Sequence, residues 1–289
     1  MILLIKNFVT NFCQTLVSLA RITIWTKCVN KIKISENTKK SGIVILANGP
    51  SLNEMIADNS SFLKGKSVIC VNSFPTSDYF TSLKPDYFII SAPDYWLKIV
   101  RPELSKMRND LIEKLLLVDW DLKIFIPTQA KHCTLWNELL QKNKHLTFHH
   151  YNLTPIYGFR CFRNFCYKRN IGMPRPHNVL IPALMMSIKM KFADIYLWGA
   201  DHSWLPLIYV DQENKVLLTH QHFYDKDTAI PLTMQKNVKE DRKLHEMLYK
   251  FVYTFEGYFF IREFAEKSRS NIWNCTPGSF IDAFERLKI

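Results

Sequence analysis

The sequence has no CxxC pair, no low-complexity tract and no repeat of solenoid length, and its first 35 residues hold no acidic side chain. Seven cysteines, at positions 13, 28, 70, 133, 161, 166 and 275, are an odd number, and several sit inside apolar runs such as Val68-Ile69-Cys70-Val71. That usage excludes a disulfide framework and a zinc ribbon and suits reduced, mostly buried thiols, Cys161 and Cys166 included. No apolar run approaches the roughly 20 residues of a membrane-spanning helix, and no small-residue cleavage site closes a signal peptide. Without repeats, a solenoid is excluded. Basic residues occur without an RNA-recognition signature, zinc-finger spacing or helix-turn-helix pattern, so no nucleic-acid partner is assigned.

What is present is an ordinary globular composition, 289 residues with 47% hydrophobic and 22% charged, enough for one large or two modest cores. The net charge of +12, from 38 Lys and Arg against 26 Asp and Glu, suits a polyanion, an anionic membrane surface or a phosphorylated substrate. Charge alone does not choose among them.

Residues 1–34 form a cationic apolar arm. At 100° per residue, Leu4, Ile5, Phe8, Val9, Phe12, Leu16, Val17, Leu19 and Ile22 fall on one face of a helix, with Lys6, Asn7, Thr10, Asn11, Gln14, Ser18 and Arg21 on the other. Lys6, Arg21, Lys27, Lys31 and Lys33 add charge, and the pattern predicts a helix lying in a membrane interface, the alternative being packing on the domain or another subunit. Ser35–Ser41, reading SENTKKS, is the expected linker, and the main domain, 42–289, begins near Gly42.

The organising stretch is Ile43-Val44-Ile45-Leu46-Ala47-Asn48-Gly49-Pro50-Ser51-Leu52. Four apolar residues in a row suit a parallel strand covered on both faces. Asn48, Gly49, Pro50 and Ser51 then turn the chain into a helix over Leu52–Ala57, with Ser51 or a neighbour placed to cap it, and exposed N–H groups at such a turn form an anion cradle. Further strands are expected at Ser67–Asn72, Tyr87–Ser91 and Lys123–Ile126, so that Asn48, Asn72, Ser91 and Asp94 line one rim at the strands' carboxyl ends.

His145–Pro176 reads as a surface excursion with a basic face. Asn178 caps a buried helix with Pro182 near its first turn. Phe192–Trp198 is another strand, ending in Gly199-Ala200-Asp201-His202; an Asp and a His there can serve as orienter and base, bind a metal, or start a loop. The following irregular stretch, about 202–235, has the size of a lid. Its His220-x-His222 puts two rings on one strand face, but no third ligand follows at recognisable spacing, and no metal site is assigned. Lys239–Lys267 is strongly helical with a break expected at Gly257. A last strand, Asn271–Asn274, leads to Thr276-Pro277-Gly278-Ser279 and a short helix over Phe280–Arg286, a second turn able to present N–H groups. These elements give an α/β class: a Rossmann-like, mostly parallel sheet with helices on both faces, a lid-like insertion and an N-terminal amphipathic helix.

In order and spacing, ANGPSL at 47–52, VNSF at 71–74, IYLWGAD at 195–201 and CTPGSF at 275–280 resemble the sialyltransferase-like glycosyltransferases of bacterial surface polysaccharides. The likeness covers about residues 42–286 and is to the lipooligosaccharide sialyltransferases and, more distantly, to the motility-accessory-factor glycosyltransferases and hydroxymethylpterin pyrophosphokinase-like proteins. It implies that Asn48 and Asn72 contact a CMP donor. The family's Ser-Gly pair falls near Asn178-Val179, and its two phosphate-binding lid tyrosines fall on Ser203 and Tyr209. Its catalytic His belongs in the region Tyr253–Tyr258, which has none, leaving His202, His220 or His222 to reach the pocket from the lid.

The resulting expectation is an inverting, metal-independent glycosyltransferase with no cofactor, moving a nonulosonic acid or Kdo from a CMP-sugar to a lipopolysaccharide, lipooligosaccharide or capsule glycan, free or lipid-linked. His202, then His222, serves as base at near-neutral pKa with Asp201 beside it. Asn48, Gly49, Pro50, Ser51, Asn72, Asp94, Asn178, Tyr209, Thr276 and Ser279 hold the donor. The enzyme is expected to sit peripherally on the cytoplasmic face of a bacterial inner membrane, with room for a homo-oligomer. The alternatives are a pterin-type pyrophosphokinase, which needs a divalent ion, and a non-catalytic membrane-bound subunit.

Overall fold

The computed structural model describes residues 2–28, 41–98, 100–219, 223, 231–234 and 240–289. In chain order its helices and strands are α1 (Ile2–Trp25), β1 (Ile43–Leu46), α2 (Leu52–Asn59), β2 (Ser67–Val71), α3 (Tyr79–Leu83), β3 (Tyr87–Ile89), α4 (Pro102–Leu116), β4 (Leu122–Pro127), α5 (Thr134–Lys142), β5 (Leu146–Tyr151), α6 (Arg160–Lys168), α7 (Leu180–Lys189), β6 (Asp194–Trp198), β7 (Ile208–Val210), β8 (Val216–Leu218), β9 (Leu232–Thr233), α8 (Leu244–Ser268), β10 (Asn271–Asn274) and β11 (Glu285–Arg286). Most of the expected linker, with His220 and His222, lies outside the described residues.

β1 shows why the sheet is central. Its period-2 geometry turns Ile43 and Ile45 into a core shared with α7 and α8, and Val44 and Leu46 into a second core with α2, α4 and α5. All four are fully buried, and each contributes about 1.5–3 kcal/mol of apolar burial. The eight-stranded sheet has the order β11-β10-β6-β1-β2-β3-β4-β5, every neighbouring pair parallel. From β1 the chain steps outward to β5, then returns to lay β6 on the other side of β1. The reversal puts a topological switch point between the carboxyl ends of β1 and β6, the place where open sheets bind ligands.

Several elements differ from expectation. The stretch read as a surface excursion contains β5 and α6, with Tyr151, Cys166 and Tyr167 in the core. α8 runs unbroken through Gly257, because that glycine serves close packing: a Cβ there would lie 3.3 Å from Ile181 Cδ1 and 3.4 Å from Pro174 Cβ. Residues 280–286 are not a helix, since Phe280 N–H bonds the Asp201 carbonyl and β11 pairs with β10. The lid region carries a small antiparallel sheet, β7-β8-β9, whose Val216 and Leu218 pack on Met247 and Phe251 of α8. All seven cysteines are free, but only Cys70, Cys166 and Cys275 are buried; Cys161, expected inside, is exposed on α6, and Cys13 and Cys28 are exposed as well.

α1 is helical as its periodicity predicts, but it meets the domain mainly through its polar edge, with Ile22 packed on the core and the Phe8 ring 5.4 Å from that of Phe159. Ser18 is fully buried; its hydroxyl donates to the Tyr157 carbonyl at 3.1 Å and accepts from Tyr157 N–H at 2.8 Å. Thr15 Oγ1 accepts from Phe159 N–H at 3.1 Å, and Thr26 Oγ1 bonds the Ile171 carbonyl at 2.9 Å. Gly158, at φ +106°, allows the approach, for a Cβ there would fall 2.1 Å from Thr15 Oγ1. Arg163 braces the same turn, donating to the Gly158 carbonyl at 2.6 Å and to Glu263 at 2.8 Å.

Candidate functional site

The parallel strands deliver Asn48, Asn72, Asp94, the loop Gly199–His202 and the turn Thr276–Ser279 to one edge of the sheet. At the switch point the anion cradle exists, and the chain fills it with its own carboxylate. Ser51 donates its hydroxyl to Asp201 Oδ2 at 3.0 Å, and its backbone N–H bonds the same carboxylate. Gly49 N–H bonds the Gly199 carbonyl at 2.8 Å, and a Cβ on Gly49 would fall 1.9 Å from Asp201 Oδ2. Ser51 therefore spends its hydroxyl on Asp201 and makes no side-chain cap on α2. Burial raises the Asp201 pKa, and the Ser51 bonds partly counter it. Pro50 is exposed beside them.

Thr276 and Ser279 brace this loop instead of presenting N–H groups at a helix start. Thr276 Oγ1 accepts from Ala200 N–H at 3.0 Å, and Ser279 donates to the Ala200 carbonyl at 2.6 Å. Both are buried.

At the ends of β1 and β2, Asn48 Nδ2 donates to the Val71 carbonyl at 3.2 Å, while its Oδ1 is buried and, among the described residues, without a partner. Asn72 adopts φ +46° and accepts weakly from Ser91 N–H at 3.4 Å. Phe223 covers this end of the rim: its N–H bonds the Asn48 carbonyl at 3.1 Å, and its ring lies 5.6 Å from that of Phe74.

His202 lies in the interior. Asn178 Oδ1 accepts from Leu180 N–H at 2.9 Å and Ile181 N–H at 3.3 Å, capping the start of α7 as expected and fixing the amide's orientation. Its Nδ2 then faces Tyr258 Oη at 2.8 Å and His202 Nε2 at 3.1 Å. An amide nitrogen only donates, so His202 Nε2 is an acceptor, and it receives the Tyr258 hydroxyl at 2.5 Å. The ring, its centre 4.2 Å from that of Trp204 and tilted 32° to it, carries its proton on Nδ1. Burial pushes the His202 pKa down to about 3 and raises that of Tyr258. The expected near-neutral base is thus a neutral, hydrogen-bonded imidazole, because its site is buried and offers it donors.

Beyond it, at the end of β3, basic groups gather around Asp94. Burial raises the Asp94 pKa, partly countered by the charges of Lys250 and Arg108. Burial and the charge of Arg242 lower Lys250 to about 8, against the attraction of Asp94. His177 falls to about 4 through burial and the charges of Arg175, Lys250 and Arg242. The Arg175 guanidinium and the His177 ring sit over Tyr253, at 5.3 and 5.9 Å between centres. His177 Nε2 and Arg242 Nε are buried without hydrogen-bond partners among the described residues.

Of the expected site residues, Asn48 and Asn72 share one end of the rim, Asn178 and His202 share the interior network, and Asp201 closes the switch point. Tyr209 is exposed on β7, and His222 is outside the described residues. Among those residues no group of three or more His, Cys, Asp or Glu stands close enough to hold a metal ion. Sequence reasoning missed Tyr258 and Lys250 as members of the site. Lys250, Gly257, Tyr258 and Ile261 recur at helical spacing on one face of α8, the signal that placed them inward.

Fold and rim together define a Rossmann-like α/β domain with a polar carboxyl edge. No protein-family model matches the chain, and no curated protein matches it. Among solved structures it is similar to the MAf glycosyltransferase from Magnetospirillum magneticum AMB-1, with 11% identity and a TM-score of 0.43. That match covers 96% of this chain and 38% of the other, so the chain spans well under half the length of that protein.

Proposed function

We propose that this chain is a glycosyltransferase whose rim binds a sugar activated by a nucleotide and passes it to a glycan acceptor. The observation that carries the reading is a basic cluster, Arg175, Arg242 and Lys250 about His177, that reaches the half-buried Asp94 through Lys250, at the carboxyl edge of a parallel sheet whose first turn holds Asn48 Oδ1, buried and without a partner among the described residues. The cations suit a phosphate, and Asn48 Oδ1 suits a base or ribose donor. The order of the four sequence motifs supports a CMP donor carrying a nonulosonic acid or Kdo, and an acceptor in lipopolysaccharide, lipooligosaccharide or capsule. In the inverting step the acceptor oxygen bonds the anomeric carbon as the bond from that carbon to the phosphate oxygen breaks. The cations stabilise the departing phosphate, and the acceptor's proton passes to a carboxylate. Asp94 has the placement for that role, and its raised pKa improves it as a base; His202, held near 3, does not.

The test is thermal-shift binding of CMP, UDP, GDP and ADP, each with EDTA and with magnesium, since a ligand of the folded state raises its apparent stability. Stabilisation by CMP without metal, lost in Asn48→Ala, is the expected result. Stabilisation only by another nucleotide sinks the CMP donor, and a magnesium requirement points to diphosphate transfer. No response to any nucleotide refutes the reading and favours a non-catalytic subunit, which the neutral, buried state of His202 also fits.

A further inference from the structure

The helix α1 has an apolar face that none of the described residues covers. Because its polar edge, Asn11, Thr15, Ser18 and Thr26, is turned to the domain, the opposite arc points outward. At 100° per residue this arc spans about 160° and holds Ile5, Val9, Phe12, Cys13, Leu16, Val17, Leu19, Ala20 and Ile24, interrupted only by Lys6 and Thr23. Phe12 is 49% exposed and Ile24 67%. Isolated exposed apolar residues are ordinary; a continuous arc along a helix of 24 residues marks an interaction surface.

From this arrangement we infer that α1 is a membrane-surface helix held rigidly on the domain by its polar edge, with its outer arc sunk into the interface of an anionic bilayer. No helix among the described residues is long and apolar enough to cross a membrane. Charge selects the occupant. The first 35 residues carry five cations and no anion, so a second copy packed arc to arc would bring like charges together, whereas anionic headgroups complement them. The attachment also orients the protein. Tyr157, whose backbone is gripped by Ser18, places its ring 6.4 Å from that of Tyr253, the ring under Arg175 and His177. Tyr157 therefore links the helix to Tyr253 and, through it, to the basic cluster.

The full chain is mixed with vesicles of phosphatidylglycerol and phosphatidylcholine, or of phosphatidylcholine alone, and floated on a density gradient. Recovery with anionic vesicles is expected to exceed that with neutral ones by roughly tenfold and to fall as salt screens the headgroups. The triple variant Val9→Glu, Phe12→Glu and Leu16→Glu is expected to lose about tenfold or more of that recovery, because its changes sit in the inserted arc. Its melting temperature should be unchanged, as these side chains are exposed in the folded protein. A polarity-sensitive dye on Cys13, with Cys28→Ser and Cys161→Ser removing the other exposed thiols, should shift to the blue on anionic vesicles. An unshifted dye, equal flotation of the triple variant, or absence of flotation overturns the inference. So does sedimentation of the wild type as a dimer that the triple variant dissolves, for that assigns the arc to a second copy.

Discussion

Replacing His202 by Gln tests the neutral network at the heart of the site. The imidazole is held at about pH 3 in the folded protein, against roughly 6.5 in an unfolded chain. Between those values the unfolded state binds one more proton than the folded state, so the native state loses stability as pH falls through that window. The loss is about 1.4 kcal/mol per pH unit, or roughly 2 kcal/mol between pH 7 and pH 5 from this residue alone. Above pH 6.5 the histidine is neutral in both states and the contribution is complete. Gln removes the titration while still offering an acceptor to Tyr258 and Asn178. Urea denaturation of wild type and His202→Gln at pH 7.5, 6.5, 5.5 and 5.0 should show a gap that is nearly constant above 6.5 and closes by about 2 kcal/mol at pH 5. His177 titrates in the same direction and is common to both proteins, so it cancels in the difference. Curves that stay parallel to pH 5 would refute the reasoning, because they would mean that His202 takes up its proton equally well folded and unfolded.

Three further substitutions probe the frame. Gly49→Ala drives a methyl group to 1.9 Å from Asp201 Oδ2 and 2.5 Å from the Gly199 carbonyl; a loss of about 1–3 kcal/mol is expected in the same urea titrations. Arg163→Met leaves the Gly158 carbonyl without its charged donor and Glu263 with only Arg160, 3.7 Å away, costing about 2–3 kcal/mol. That variant should also speed proteolysis within α1, because Gly158 is the turn on which Thr15 rests. Lys189→Met removes an ammonium that burial lowers to about 7 and that bonds Asn170 Oδ1 at 2.8 Å; since the folded pKa lies below the unfolded one, the wild type carries the full handicap below about pH 7, and the variant's advantage should shrink as pH rises from there toward 10.

The parallel sheet was legible because buried strands write themselves as apolar runs. Ile43–Leu46, Ser67–Val71 and Asp194–Trp198 each end in a turn residue, and the rim they form follows from the chain direction alone. β5 was not legible: Leu146-Thr147-Phe148-His149-His150-Tyr151 alternates weakly, since an edge strand buries one face and pairs on one side only. Gly257 misled because glycine marks both helix breaks and close helix contacts, and only the partner helix decides which. The same limit applies to Asp201 and His202. Their sequence neighbourhood names a strand end, but burial sets their protonation, and their partners are distant in sequence, Ser51 150 positions from Asp201 and Tyr258 56 from His202. For α1 the pattern identified the helix and its two faces, while the choice of which face meets the domain rested on three hydroxyls, Thr15, Ser18 and Thr26, that match the backbone of the Thr154–Phe159 segment and Ile171.

The position of Asp201 has a consequence for where any bound anion lies. A phosphate at the β1–β6 switch point would meet a carboxylate already accepting the Ser51 hydroxyl and N–H, and the donors that ordinarily favour anions there are spent. Near the end of β3 the balance is reversed, with Lys250 and Arg108 acting on Asp94, itself of raised pKa, and with Arg175 and Arg242 joining Lys250 about His177. Two buried nitrogens there, His177 Nε2 and Arg242 Nε, are without partners among the described residues, and an acceptor oxygen would relieve the cost of leaving donors unpaired. Electrostatics therefore moves the anionic end of the ligand along the rim, from the glycine turn toward β3. On the proposed reading the sugar-bearing phosphate would lie at the Lys250 cluster beside Asp94, and Asn48 Oδ1 would serve the neutral, hydrogen-bonding end. If the ligand instead lay with its phosphate on the glycine turn, Asp201→Asn would strengthen binding and Arg242→Ala would leave it unchanged; the arrangement on the rim requires Arg242→Ala to weaken it and Asp201→Asn to have little effect.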